Sequence, residues 1–342
     1  MNFNEAIQAG ILKVLSMSKK NLIFGLEVTN VGAGFANKYK KQVYETPVSE
    51  LATAGMVVGL ATRGYKPQIV FGRVEFAMLA FDQIFTQAGR WEYSFGGNYE
   101  CPASFRIQVG RQWGNGPQHT ANYHSIFLQA YGIDIFIPST PKEAYEQIIY
   151  MNKVDHPTVM LEHKYLSQVR QNFILQKNIQ KPKSATIYYD NKVSDMLVIT
   201  YADTLIDALK AQKELKKINI NVAIINLSYF PSKKRIDKNV IKFAKKFKNL
   251  LFFDSAPKEF GIMAGVASIL MEELKSTKKI HFLSPPNNPS PSAPSLAKKY
   301  YKNYQDLHYM ICKILHKKTK KLKKLSFDQI MLWPKDDIDN LM

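Results

Sequence analysis

The sequence predicts an α/β protein of two domains, each a mostly parallel sheet covered by helices. Three observations lead there. Strand-like and helix-like stretches alternate along the chain. The alternation breaks at a polar stretch near the middle and then restarts, and 342 residues is about the length of two ordinary domains.

In the first half, residues 4–17 set Ile7, Ile11, Leu12 and Leu15 at helical spacing, so an amphipathic helix opens the chain. "NLIFGLEV" (21–28) reads as a buried strand. Residues 49–64 read as a helix with Ser49 as its N-cap, Glu50 in its first turn and Gly64 as its stop. "PQIVF" (67–71) is a short strand, and "EFAMLAFDQIFTQAG" (75–89) is a second amphipathic helix. Residues 104–110, 133–138 and 158–163 read as further strands, with a helix over 140–154.

The polar run from Arg170 to Ala185 reads as a linker, placed at 170–190 between a first domain over 1–169 and a second over 191–342. There the pattern repeats: strands at 196–200, 221–226 and 250–254, helices at 203–217, 239–247 and 261–274. A Pro/Ser-rich connection (284–295) leads to a last helix over 304–315.

The composition is that of an ordinary globular protein, with 46% hydrophobic and 22% charged residues. No apolar run reaches the roughly 18 residues a membrane span needs, and the first ten residues lack the basic start and apolar stretch of a signal peptide, so a cytoplasmic protein is expected. Cys101 and Cys312 stand far apart, which argues against a disulfide framework or a thiolate metal site. The net charge of +19 suggests a nucleic-acid partner, but its distribution argues against one. Residues 1–180 hold 17 basic and 13 acidic residues, whereas 181–342 hold 30 and 15. That excess is lysine, as in "KKLKK" (320–324), with no interleaved aromatics, and a solvated lysine face accounts for it.

In a parallel sheet, ligands sit beyond the carboxyl ends of the strands. Four residues qualify by position: Glu27, Glu50, Phe76 and His119. Each has an ordinary explanation. The helix dipole favours a first-turn carboxylate such as Glu50, and Phe76 can be core. His119 and His124 are not spaced as a helical metal-binding pair and have no attendant ligand cluster, so no metal is assigned to this chain. Phosphate-binding P-loop, nucleophile-elbow and dinucleotide-binding motifs are absent from the sequence.

Taken together with "ETPVSELATAGMVVGLATRGYKPQIVF", "EFAMLAFDQI" and "GNGPQHT" leading to "GIDIFIPSTPKEA", these positions resemble the beta subunit of the thiamine-diphosphate-dependent 2-oxo acid dehydrogenases over most of residues 4–315. The resemblance implies a transketolase-like pyrimidine-binding domain followed by a transketolase C-terminal domain. It implies that Glu50 hydrogen-bonds N1′ of the cofactor's aminopyrimidine and shares a proton with it. Phe76 is implied to pack on the pyrimidine face. His119 is implied to stand near the substrate and the acyl-accepting lipoyl group. Glu27 is the one acid kept where many members carry two, Leu26 replacing the other, and His124 falls outside the match.

The Gly-Asp-Gly motif ending in Asn that holds Mg²⁺ and the diphosphate is absent from this sequence. In such enzymes the alpha subunit carries it. The resemblance therefore implies thiamine diphosphate shared with an alpha subunit that binds the Mg²⁺, self-association of beta chains, and a lipoyl acyltransferase as a further partner. Two alternatives stay open. "GRQWGNGPQHT" and "PSPSAPSLAKKYY" are also similar to beta-type chains of two-component carboligases that make carbohydrates or acyloins. The other alternative is a non-catalytic basic partner protein that keeps the fold.

Overall fold

The computed structural model describes residues 1–28, 33–111, 116–176, 178–190, 194, 196–275, 278–319, 322–323, 325 and 334–342. Lys320, Lys321 and Lys324 of the lysine run lie outside them, as do Gly114 and Asn115 of the histidine loop.

The first sheet is built from β1 (Asn21–Gly25), β2 (Val43–Glu45), β3 (Lys66–Phe71), β4 (Ser104–Val109), β5 (Asp134–Phe136) and β6 (Thr158–His163). The second contains β7 (Ala185–Tyr188), β8 (Met196–Thr200), β9 (Val222–Leu227), β11 (Asn249–Phe253) and β12 (Lys279–Leu283), while β10 (Tyr229–Phe230) crosses to the first. The orders are β10-β5-β6-β4-β3-β1-β2 and β12-β11-β8-β9-β7, and among these strands of the described residues the edge strands β10 and β7 alone pair antiparallel. Two parallel α/β sheets are thus as expected.

Helices cover both faces of each sheet, so the strands are apolar on both sides. Successive residues alternate between faces: Leu22 and Phe24 join one core cluster, and Ile23 between them joins the other. Each cluster draws on both sheets, so the two domains share their cores.

The helix Phe3–Met17 starts at a capping box in which Asn2 Oδ1 accepts from the Glu5 amide at 2.9 Å and Glu5 Oε2 accepts from the Asn2 amide at 2.7 Å. It buries Phe3, Ile7, Ile11 and Val14 against the helix Pro141–Met151, which Thr140 caps.

Three expectations are modified. The helix read over 75–89 is broken: Val74–Met78 is α-helical and Asp82–Ala88 is π-helical, closed by the Gly89 amide reaching back to Ile84 O at 2.9 Å. The wider turn keeps Ala80, Ile84 and Ala88 buried on one face. The polar run read as a linker ends in β7, held by backbone pairing with β9. The Pro/Ser-rich connection gives way to the helix Pro294–Tyr300, where Pro294 takes the first helical position.

Candidate active site

The expected site residues all lie at the carboxyl edge of the first sheet. After β1 comes Glu27, exposed and with a φ of 57°, a left-handed conformation uncommon for a residue with a Cβ. The Glu45 carboxylate at the end of β2 accepts its amide hydrogen. Glu45 and Gly25 are register partners, so this bond ties the two strand ends together. The chain after β2 leads through Ser49 into the helix Glu50–Thr62, which packs on β3 and on Asp82–Ala88. Glu50 is half-buried. The side chains flanking these positions are apolar yet exposed: Leu26 by 51%, Val48 by 75%, Leu51 by 58% and Leu79 by 61%.

After β3, Gly72 and Arg73 lead into Val74–Met78, which carries Glu75 and Phe76. After β4, the loop bearing His119 is closed at its base by the Gly110 amide donating to Ala121 O at 3.2 Å. Gly110 has a φ of 84°, and a Cβ there would come within 2.2 Å of His163 Nε2, so only glycine fits. The short helical turn Pro117–His119 then brings the imidazole edge-on to Phe76, with ring centroids 5.6 Å apart at 68°. Phe76 and His119 are therefore brought together, and Glu50 and Glu27 share their edge of the sheet.

Charged residues absent from the sequence reading stand around these two rings. Both oxygens of Glu75 are buried, with no side-chain donor on them among the described residues, and so is Nδ1 of His119. Burial pushes the Glu75 carboxyl up from the ordinary range; the amides of Glu75 and Ala121 and the charges of His119 and Arg73 pull it back only in part. The Lys164 ammonium donates to Gln108 Oε1 at 2.9 Å, and burial together with the nearby Arg73 charge lowers its pKa. Beneath, Arg106 and Glu162 form a buried two-pronged pair, with Nε–Oε1 at 2.5 Å and Nη2–Oε2 at 3.1 Å. Glu75 was legible only as the neighbour of Phe76; the others needed the sheet register that sets β3, β4 and β6 side by side.

A second buried polar cluster anchors the histidine loop from below. The Arg111 guanidinium lies 3.9 Å from the Tyr165 ring centroid and 4.5 Å from that of Tyr301, with Asp203 Oδ2 at 3.9 Å from its Nε. His124 is wholly buried, stacked parallel to His163 at 6.0 Å and edge-on to Tyr201 at 5.3 Å. Burial, then the His163 charge, holds its pKa well below the usual imidazole value, which suits a structural ring. Asn122 Nδ2 also donates to Ser255 O at 3.1 Å, a further tie to the second domain.

Residues 2–169 match the transketolase pyrimidine-binding domain and residues 186–305 the transketolase C-terminal domain. Among curated proteins, the chain is 28% identical over 276 residues to the acetoin:2,6-dichlorophenolindophenol oxidoreductase subunit beta of Cupriavidus necator, covering 80% of each chain. It is 26% identical over 285 residues to the mitochondrial pyruvate dehydrogenase E1 component subunit beta of Saccharomyces cerevisiae, covering 80% of this chain and 76% of the relative. It is 27% identical over 321 residues to the 2-oxoisovalerate dehydrogenase subunit beta of Bacillus subtilis, covering 89% and 95%. The fold is shared with a solved structure titled a split gene transketolase, inactive beta4 tetramer, at a TM-score of 0.75 and 15% identity, covering 92% of this chain and 98% of that one.

Proposed function

Because the chain belongs to the family that joins a transketolase pyrimidine-binding domain to a transketolase C-terminal domain, we propose that it is the beta subunit of a two-chain thiamine-diphosphate-dependent 2-oxo acid dehydrogenase. The observation that carries this reading is the meeting of Phe76 and His119 on the sheet edge where Glu50 opens its helix. The relatives named as pyruvate, acetoin and 2-oxoisovalerate beta subunits support it.

The residues fit the pyrimidine half of the cofactor. A half-open aromatic face, a half-buried carboxyl and apolar neighbours suit a planar, neutral, nitrogen-bearing ring. When bound, the cofactor supplies the carbanion chemistry at C2. Glu50 holds a proton at the pyrimidine N1′, Phe76 orients the ring, and Glu27 lines the strand end beside them. His119 exchanges a proton with the substrate or the acyl acceptor. An alpha subunit covers the exposed side chains Leu26, Val48, Leu51 and Leu79, and brings the groups that hold Mg²⁺ and the diphosphate. Beta chains associate with one another, and a lipoyl acyltransferase takes the acyl group.

A second reading keeps the same cofactor residues but passes the acyl unit to an aldehyde or ketone. The charged surroundings of Arg73, Glu75 and Lys164, which suit a polar acceptor, favour it. One experiment tests both: the chain, assembled with an alpha-type subunit, is given thiamine diphosphate, Mg²⁺ and pyruvate, with either lipoamide or acetaldehyde as acceptor. Turnover that needs both chains and collapses in Glu50→Gln supports the proposal, and the productive acceptor selects the reading. Full turnover by the beta chain alone, or by Glu50→Gln, refutes it.

A further inference from the structure

Glu75 directly precedes Phe76 on the short helix Val74–Met78, and that helix packs against the Pro117–His119 turn. Its two carboxylate oxygens are buried with only the amides of Glu75 itself and Ala121 directed at them, and Nδ1 of His119 is buried without a partner among the described residues. The two side chains lie within reach of one another's charge. A buried ring nitrogen without a partner is unfavourable, and a carboxylate reached only by two amides keeps lone pairs free to satisfy it. A carboxylate present only to favour the first helical turn would turn its oxygens to water. Glu75 does the opposite.

The groups around Glu75 are few. Arg73 comes from the start of its own helix, and His119 and the Ala121 amide come from the loop after β4. Lys164, from the turn after β6, feels the Arg73 charge.

We infer that Glu75 is the positioning residue of His119: its carboxylate accepts from Nδ1–H, fixing the tautomer and leaving Nε2 to exchange a proton with the acyl acceptor. The inference rests on the proposed role of His119, and its test separates the two.

The first readout needs no cofactor. In ¹⁵N spectra of the imidazole of the full chain, at a pH where the ring is neutral, His119 carries its hydrogen on Nδ1. Glu75→Leu shifts the ring toward the Nε2–H form, whereas Glu75→Gln, which keeps an acceptor oxygen, retains the original form. The second readout uses the chain assembled with an alpha-type subunit and fed pyruvate. Glu75→Leu lowers the ratio of lipoamide transfer to 2,6-dichlorophenolindophenol reduction by about tenfold or more, the low end of a positioned proton-transfer group's contribution. In a His119→Gln background it lowers that ratio no further.

An unchanged tautomer in Glu75→Leu overturns the pairing whatever the assays give, and so do additive losses with His119→Gln. Should Glu75→Leu not fold, an Nε2–H ring in the wild type or in Glu75→Gln overturns it equally. A tautomer shift in an assembly that shows no transfer even as wild type leaves the pairing standing and refutes the assigned role of His119.

Discussion

Asp203 Oδ1 lies 3.4 Å from His163 Nε2, joining the end of β8 in one domain to the end of β6 in the other. The other oxygen of Asp203 faces Arg111, the residue at the root of the histidine loop. One carboxylate in the second domain therefore serves two buried groups beneath the site in the first. Burial, and secondarily the Arg111 charge, lowers the His163 pKa against the pull of Asp203, while the Asp203 charge helps to raise that of Arg111.

Asp203→Asn is expected to destabilise the chain by roughly 3 kcal/mol, because breaking a buried pair leaves the other charge uncompensated. The urea midpoint of the variant checks this. A loss below about 1 kcal/mol would mean that the aromatic cage of Tyr165 and Tyr301 holds Arg111 unaided.

Stability on the acid side follows Asp134. Burial opposes its ionisation, but His156 at 3.1 Å, the Tyr229 hydroxyl at 2.5 Å and the Ser232 amide outweigh burial and bring its pKa to about 2. A depressed acid stabilises the fold above its unfolded pKa and loses that contribution as pH falls toward its folded one. About 2 kcal/mol should be lost between roughly pH 4 and pH 2, and Asp134→Asn should remove that part of the pH dependence of unfolding.

Asp254 has the opposite sign. It accepts from the Tyr201 hydroxyl at 2.6 Å and the Ala256 amide at 2.8 Å, yet burial still raises it to about 6. The folded state then binds the proton more tightly than the unfolded chain, so stability falls as pH rises from roughly 4 to 6. In Asp254→Asn the decline over that window should be shallower; an equally steep decline would assign it to other groups, Asp207 first among them.

Phe76 is only half-buried, so its truncation should cost binding more than folding. Phe76→Ala is expected to weaken thiamine diphosphate binding by the assembled enzyme about fivefold, in line with an aromatic contact of roughly 1 kcal/mol. Calorimetric titration measures it, with the melting temperature of the chain as control. Unchanged affinity would remove Phe76 from the cofactor site.

The exposed Val48 and Leu51 flank Glu50, and a charge placed among them should block a partner without harming the fold. Leu51→Asp is expected to weaken association with an alpha-type subunit by about tenfold or more, as expected for an apolar contact at an interface centre. Sedimentation of the mixed chains reads this directly. Association as tight as that of the wild type would put the partner on another face.

Much of this was legible from residue order alone. Parallel strands buried on both faces leave continuous apolar runs, so β1, β3, β4, β6, β8 and β11 could be read as strands; Ser49, the N-cap named from the sequence, starts its helix without a side-chain bond, whereas Asn2, Thr140 and Asn303 make one. The edge strands β7 and β10 were not legible: their pairing energy comes from distant β9 and β5, and their own side chains carry no period. The same division holds at the site. Glu27, Glu50, Phe76 and His119 stand out because each follows a strand, and that is local. The contact of Phe76 with His119, the burial of Glu75 beside them, and the Arg111–Asp203–His163 cluster depend on which strands lie side by side and how one domain packs on the other. Position along the chain names candidates; only tertiary packing removes water from a carboxylate and sets another charge beside it.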